Sequence, residues 1–376
     1  LKKNRDAIAL YAELAADEKG TKALFAQESL ATLYYDGGQF AKSAEAYVDL
    51  ATRFPKSDRV SQSRLNAGFA WYREGEFRKA IGQFDLASKD KRLAISAGYG
   101  KGVAYKSLGE FKPAAAALKS AYEASAKNAG TEDILFHWAD TQMQLAKYAT
   151  ARKLFLEFNT KWPKHASAAN ALLLATESAL LDGNLDEADT SLARFDKDYP
   201  DTTLSLRREL LKGRLLETRA GRANTRQSVV HFRKVIDNAK TPGIASQARF
   251  YLARSLQSLE DDKQVITVVE PLLKDVRRDG AKSDFIGALV LAGSSYLKLK
   301  NYKQASAVSS EYLKLLPQGG QAANAFATRA VAEAQQRNKA QAQSDLTALR
   351  NRDAKGPLLL PTTFQIAEIA YDRKDW

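Results

Sequence analysis

Small and bulky residues follow one another along the chain in a repeating order that predicts pairs of packed helices. A first column of small side chains recurs every 34, 37 or 40 residues, at Ala31, Gly68, Gly102, Ala139, Thr176, Gly213, Ala253, Gly293, Ala330 and Ala367. A second column lies downstream, at Ala7, Ser43, Ala80, Ala114, Ala151, Ala188, Ser228, Val265, Ala305 and Ala342. Four residues after each of these stands a usually bulky residue: Tyr11, Tyr47, Phe84, Leu118, Phe155, Leu192, Phe232, Val269, Ser309 and Leu346. Antiparallel helices approach closely only where small residues meet, and large residues one turn away fill the gap, so this order predicts successive helix pairs.

A short turn motif separates the two columns and consists of glycine, any residue and an aromatic. It occurs as Gly38-Gln39-Phe40, Gly75-Glu76-Phe77 and Gly109-Glu110-Phe111, and in altered form as Ala146-Lys147-Tyr148, Gly183-Asn184-Leu185 and Lys300-Asn301-Tyr302. Glycine adopts the left-handed backbone conformation that ends a helix, so the motif predicts the end of each first helix. Pro271 falls inside a predicted second helix, and we expect a kink or break there, near Val269 or Glu270.

These columns and turns resemble the tetratricopeptide repeat. The segments Gly38–Ser43 and Phe54–Ser57 are similar to the repeats of bacterial outer-membrane assembly lipoproteins and Tol–Pal-associated periplasmic proteins. The resemblance implies an all-α fold, a right-handed α-solenoid. Counting helices predicts about nine helix pairs and a half-unit at each end. We expect a regular array over residues 1–200 and a more divergent, continuous array over residues 201–376, together forming one solenoid cut from a longer chain.

The composition and the motifs argue against catalysis or metal binding by this chain. Cysteine is absent, which excludes thiolate catalysis and cysteine-ligated zinc. The three histidines, His137, His165 and His231, fall on three different units without a carboxylate pattern beside them. The most apolar stretch, residues 168–181, is too short to span a membrane. We therefore expect a chain that is not an enzyme, has no metal or other cofactor and does not cross a membrane.

The resemblance implies that the first helix of each pair lines a concave groove, and the helical period selects the side chains that point into it. The candidate residues for a peptide groove are Tyr35, Leu65, Phe69, Tyr72, Tyr99, Phe136 and Met143. Their polar neighbours include Lys106 and Asp140. Exposed together, such apolar and aromatic side chains would bind a peptide segment or helix. The alternative is that they pack between adjacent first helices.

Positive charge is concentrated in the middle of the chain. The formal net charge is +13, and residues 207–234, here called the basic stretch, contain nine basic residues against two acidic ones. Helical periodicity places Arg207 and Arg214 on the groove side, with Arg254 at the matching position of the next unit. Guanidinium groups suit carboxylate and phosphate geometry, so these three arginines are a candidate anion site. The alternative is a solvated basic face.

Three kinds of partner are compatible with these features. A protein-binding scaffold or adaptor accounts best for the groove residues and for the lack of catalytic motifs. An anionic polysaccharide is the second candidate, because the repeats also resemble periplasmic parts of exopolysaccharide export systems. Nucleic acid ranks last, since charges outside the basic stretch are mixed in sign. The resemblance favours the periplasm or cell envelope, with the cytoplasm as the alternative.

Overall fold

The computed structural model describes residues 2–16, 21–125, 130–200, 202–352 and 354–374, and these residues form α-helices without any β-strand. The first ten helices are α1 (Lys2–Ala16), α2 (Thr21–Asp36), α3 (Phe40–Arg53), α4 (Val60–Glu74), α5 (Phe77–Ala87), α6 (Ala94–Ser107), α7 (Phe111–Ser125), α8 (Glu132–Gln144), α9 (Tyr148–Lys161) and α10 (Ala168–Leu181). The others are α11 (Leu185–Asp198), α12 (Ser205–Arg219), α13 (Arg222–Asn238), α14 (Pro242–Ser258), α15 (Asp262–Asp279), α16 (Ala288–Lys298), α17 (Tyr302–Leu315), α18 (Ala322–Gln335), α19 (Lys339–Arg352) and α20 (Leu359–Asp372). The predicted all-α fold is confirmed.

The chain divides into two compact units, Leu1–Glu187 and Ala188–Trp376. Helices that follow one another in the chain pack together from α1 to α10 in the first unit and from α12 to α20 in the second. First helices also contact the first helices of adjacent pairs: α4 with α6 and α6 with α8 in the first unit, and α12, α14, α16, α18 and α20 in succession in the second. Each unit therefore presents a face built from first helices. The predicted total of nine repeats stays a prediction.

The close approach of small and bulky columns is visible at Gly68 of α4. A Cβ atom placed on Gly68 would lie 2.5 Å from the ring of Phe84 in α5, and one placed on Gly100 of α6 would meet the same ring at 2.5 Å. Phe84 is fully buried between these two glycines. The next pair repeats the contact, because a Cβ on Gly102 would lie 2.5 Å from Leu118. The predicted meeting of small and bulky residues is confirmed at these positions.

The turns keep a left-handed backbone even where glycine is missing. Gly38 and Gly75 have φ values of 72° and 88°, as the motif predicts. Ala146 and Lys300, which replace glycine in the altered motifs, have φ values of 55° and 60°. A side chain disfavours this conformation by about 1–2 kcal/mol. The packing of the flanking helices therefore fixes the turn, and glycine only makes it easier to form.

The break expected at Pro271 is wrong, while the alternative, a kink at this position, stays a prediction. Helix α15 continues through this proline from Asp262 to Asp279. The side chains of Val269, Leu272 and Val276 are fully buried on both sides of the proline. Burial of these side chains outweighs the loss of one backbone hydrogen bond.

None of the helices in the described ranges combines the length and the apolar character that a membrane span requires.

Replacing Gly68 by alanine tests the packing constraint. The added methyl group would overlap the Phe84 ring, which Gly100 prevents from moving away, so we expect Gly68→Ala to lower the free energy of unfolding by about 1–3 kcal/mol. Gly82, in the middle of α5, is the matched control, because a Cβ there meets no atom within 4 Å. Gly82→Ala should raise stability by about 0.5–1 kcal/mol. Urea unfolding followed by circular dichroism measures both, and equal effects of the two substitutions would contradict the packing argument.

Candidate functional site

A row of partly exposed aromatic and apolar side chains lies on the first-helix face of the first unit. Tyr72 of α4, Tyr99 of α6, and Phe136 and Met143 of α8 belong to it, and all four are partly accessible to solvent. The row continues from helix to helix, because α4 contacts α6 and α6 contacts α8. Ser107 of α6 donates a hydrogen bond of 3.4 Å to the Tyr72 hydroxyl. We call this surface, defined by Tyr72, Tyr99, Phe136 and Met143, the aromatic face.

Polar side chains stand beside the aromatic face and link α6 to α8. Lys106 pairs with Asp140, and the Lys106 Nζ lies 3.4 Å from the His137 Nδ1. The rings of His137 and Tyr99 have centroids 5.8 Å apart. Burial lowers the pKa of His137, and the charge of Lys106 lowers it further, so the imidazole is neutral at pH 7. Burial raises the pKa of Tyr99 to about 12, which keeps its hydroxyl protonated and able to donate a hydrogen bond.

The other predicted groove residues are less accessible. Tyr35 packs edge-on against Phe40 with ring centroids 5.2 Å apart, and Phe69 packs edge-on against Phe84 at 5.0 Å, although both remain partly exposed. Leu65 is only 5% exposed and belongs to the hydrophobic core of the first unit. A ligand on the surface therefore cannot reach Leu65, and we remove it from the candidate groove.

Sequence reasoning named Lys106 and Asp140 as neighbours of the groove but set His137 aside as a packing or surface residue. In the structure, His137 lies between these two side chains and Tyr99. The available signal was its position directly after Phe136, next to a groove position of the repeat. Phe136 itself packs edge-on against two phenylalanines of α9, at 5.5 and 5.4 Å, so it is only partly available.

Ion pairs occupy much of the basic stretch in the second unit. Arg208 and Lys212 both bind Asp196 of α11, at 3.2 and 2.6 Å. Arg219 pairs with Asp189, also of α11, at 3.2 Å. These two aspartates precede the basic stretch in the sequence, so a count of charges within the stretch overestimates its free positive charge.

Glu209 is the buried carboxylate of the basic stretch. Its side chain is 5% exposed and accepts hydrogen bonds from Arg208 at 2.6 Å and from the Nδ1 of His231 at 2.7 Å. The Nζ of Lys234 lies 3.2 Å away. Burial alone would raise the pKa of Glu209, but these donors outweigh it and lower the pKa to about 2. The network therefore ties α12 to α13 through one ionised carboxylate.

The three arginines of the predicted anion site do not all lie together in the structure. Arg214 and Arg254 stand together, with guanidinium groups 5.0 and 5.7 Å from the ring centroid of Tyr251. Arg254 also pairs with Glu217 at 3.1 Å. Burial raises the pKa of Glu217, and the two arginines oppose that shift. An external anion at this pair would have to compete with Glu217.

Arg207 lies two helical turns earlier, at the start of α12, and lines a different feature. It belongs to the wall of an open cavity of about 700 Å³ between the start of α12, the end of α13 and the start of α14. Lys234 and Lys240 line the same cavity. We call it the basic cavity. This cavity brings Arg207 close to Lys234, at the other end of the basic stretch, and to Lys240, which lies beyond it.

In the described part of the chain, no group of three or more His, Cys, Asp or Glu side chains is placed to hold a metal ion.

Comparison with known proteins identifies the fold. Residues 170–202 match the tetratricopeptide repeat family. A solved tetratricopeptide repeat protein from Parabacteroides merdae is 15% identical, and the match, with a TM-score of 0.54, covers 68% of this chain and 93% of that one. The chain has the tetratricopeptide-repeat fold.

A second solved tetratricopeptide protein matches over more of the chain. It is a signal transduction ATPase with numerous domains from Pyrococcus horikoshii that has a tetratricopeptide repeat sensor. Identity is 15% and the TM-score is 0.56, with 89% of this chain and 50% of that protein covered, so the present chain spans half the length of that relative. No curated protein matched the sequence. At this identity the likeness shows the fold alone.

The Glu209 network predicts how the stability of this tetratricopeptide array depends on pH. Because the folded-state pKa is lowered to about 2 from an ordinary value of 4.5, the ionised carboxylate stabilises the fold fully above about pH 4.5. This contribution is lost as pH falls towards 2. Glu209→Gln should lower the free energy of unfolding by about 2 kcal/mol at pH 7, because neutral hydrogen bonds replace charge-assisted ones. Urea unfolding at pH 7 and pH 3 should show the difference from the native chain shrinking at the lower pH, and a constant difference would exclude this role of the carboxylate.

Proposed function

We propose that this chain is a non-catalytic interaction scaffold that binds a peptide segment or a helix of a protein partner along the aromatic face. The observation that carries the proposal is that four partly exposed side chains, Tyr72, Tyr99, Phe136 and Met143, stand on first helices of which α6 contacts both α4 and α8. Isolated exposed apolar residues are ordinary, but a row that crosses several helices is typical of a binding surface.

The chemistry of the aromatic face suits a peptide. Tyrosine side chains combine a large apolar ring with a polar hydroxyl, which is why they are frequent anchors in protein interfaces. The protonated hydroxyl of Tyr99 and the pair of Lys106 and Asp140 supply donors and acceptors for the backbone or polar side chains of a bound segment. Opposite charges of the pair cancel, so the face selects by shape and apolar contact more than by net charge.

The other partners receive less support. An anionic polysaccharide or a nucleic acid would need many unpaired cations in a continuous band, whereas Arg208, Lys212 and Arg219 are held by acidic residues of α11. A periplasmic or envelope location is part of this proposal and rests on the resemblance of the repeats to envelope proteins.

Truncation of the two tyrosines tests the proposed function. We expect Tyr72→Ala with Tyr99→Ala to weaken binding of the protein partner by about tenfold or more, because interface tyrosines contribute on the order of 1–2 kcal/mol each. Partners captured from an extract of the source organism would be identified, and the affinity of the captured partner would be measured by titration for each variant.

Leu86→Ala is the matched control, because Leu86 is an exposed apolar residue of α5, a second helix, and lies outside the aromatic face. It should leave the affinity unchanged. A partner whose affinity falls equally in both variants, or in neither, would refute binding along the aromatic face. Thermal unfolding of each variant checks that the array stays folded.

A further inference from the structure

Positive charge exceeds negative charge around the basic cavity. Residues 203–258, which contain α12, α13 and α14, carry twelve lysines and arginines against three acidic residues. When the two aspartates of α11 that pair with Arg208, Lys212 and Arg219 are added, the count is twelve positive against five negative charges. This remaining surplus raises the concentration of anionic partners near the second unit.

The basic cavity combines cations with apolar surface. Arg207, Lys234 and Lys240 contribute the positive charges, and none of the described residues that line it is acidic. Leu204 and Ile244 line the same cavity and are partly exposed. A ligand that fills it must therefore offer both negative charge and an apolar group.

The two lysines are held loosely. Lys234 reaches Glu209 at 3.2 Å, but Arg208 and His231 already satisfy that carboxylate at shorter distances. Lys240 is exposed and has no ion pair among the residues that the structure describes. Both ammonium groups can therefore turn towards a ligand without breaking the fold.

We infer that the basic cavity binds an acidic segment of a protein partner. One apolar side chain of that segment lies against Leu204 and Ile244, while neighbouring carboxylates pair with Lys234 and Lys240. The inference rests on the proposed scaffold function for the protein nature of the ligand, and it adds a second site, in the second unit, with a defined chemical preference.

Because part of the lining is apolar, an acidic peptide segment fits the cavity better than a uniform polyanion does. Inorganic phosphate, a sulfated or carboxylated polysaccharide and a nucleic acid backbone would leave Leu204 and Ile244 without contacts. An alternating acidic and apolar peptide satisfies both kinds of surface, because burial of apolar area adds to the ion pairs. Ion pairs at an exposed site are weak individually, so both contributions are needed for measurable affinity.

A charge-matched pair of variants tests the site. The cavity variant carries Lys234→Gln and Lys240→Glu, and the control carries Arg222→Gln and Arg226→Glu. Arg222 and Arg226 are exposed residues of α13 that do not line the cavity, and the change in net charge is the same in both variants. Circular dichroism and thermal unfolding establish that both variants fold. The probe is a fluorescein-labelled peptide of alternating Glu and Leu, titrated by fluorescence anisotropy against the full chain.

We expect the cavity variant to bind the probe about tenfold more weakly than the native chain, and the control variant to change its affinity by less than about twofold. Replacement of Leu by Ser in the probe should also weaken binding, and a Lys-Leu peptide should not bind. If both variants lost affinity for the probe equally, the loss would be due to the overall positive charge of the second unit. That result would overturn the inference. Tighter binding of a single-stranded oligonucleotide or an anionic polysaccharide, lost in the cavity variant, would overturn the assignment to a protein segment.

The variant with Tyr72→Ala and Tyr99→Ala separates this inference from the proposed function. It should bind the acidic probe as the native chain does, since neither tyrosine lines the basic cavity. Retained probe binding by the cavity variant would refute the second site and leave the aromatic face untouched. Unchanged partner binding in the tyrosine variant, together with loss of probe binding in the cavity variant, would refute the aromatic face and leave the second site untouched.

Discussion

This array depends on one kind of close contact. A residue with little or no side chain on one helix packs against a bulky side chain on the next. Phe84 is buried against Gly68 and Gly100, so α4, α5 and α6 are held at distances that a single added carbon would change. Because first helices are positioned by such contacts with second helices, their remaining surface forms a defined face. The aromatic face is therefore a consequence of packing on the opposite side of the same helices.

This local character explains how much of the fold could be predicted from the sequence. The contact between Gly68 and Phe84 joins residues close in the chain, and its repetition at a fixed interval makes it readable without coordinates. Turns were predictable for the same reason, although the left-handed conformation at Ala146 and Lys300 shows that the position matters more than the glycine. The break expected at Pro271 does not occur, because burial of a whole helix face outweighs the helix-breaking tendency of one proline.

The sites were predictable only in part, because their contacts join different repeats. Helical periodicity identified the face that contains Tyr72 and Tyr99, but burial of Leu65 depends on how neighbouring helices meet. In the second unit, the number of positive charges can be read from the sequence, but the positions of the acidic side chains that pair with them cannot. Asp196 of α11 pairs with Arg208 of α12, and the spacing of residues along the chain does not predict this contact between two helices.

The same buried carboxylate that ties two helices together also shapes the basic cavity. Glu209 pairs with Arg208, which does not line the cavity, and with Lys234, which does. Since the pKa of Glu209 is lowered to about 2, this arrangement does not change over the ordinary pH range. A carboxylate on a partner would meet Lys234, whose contact with Glu209 is the longest of that network, and Lys240, which is exposed. Because Arg208 and His231 hold Glu209 at shorter distances, Lys234 can turn to a partner while the link between the two helices remains.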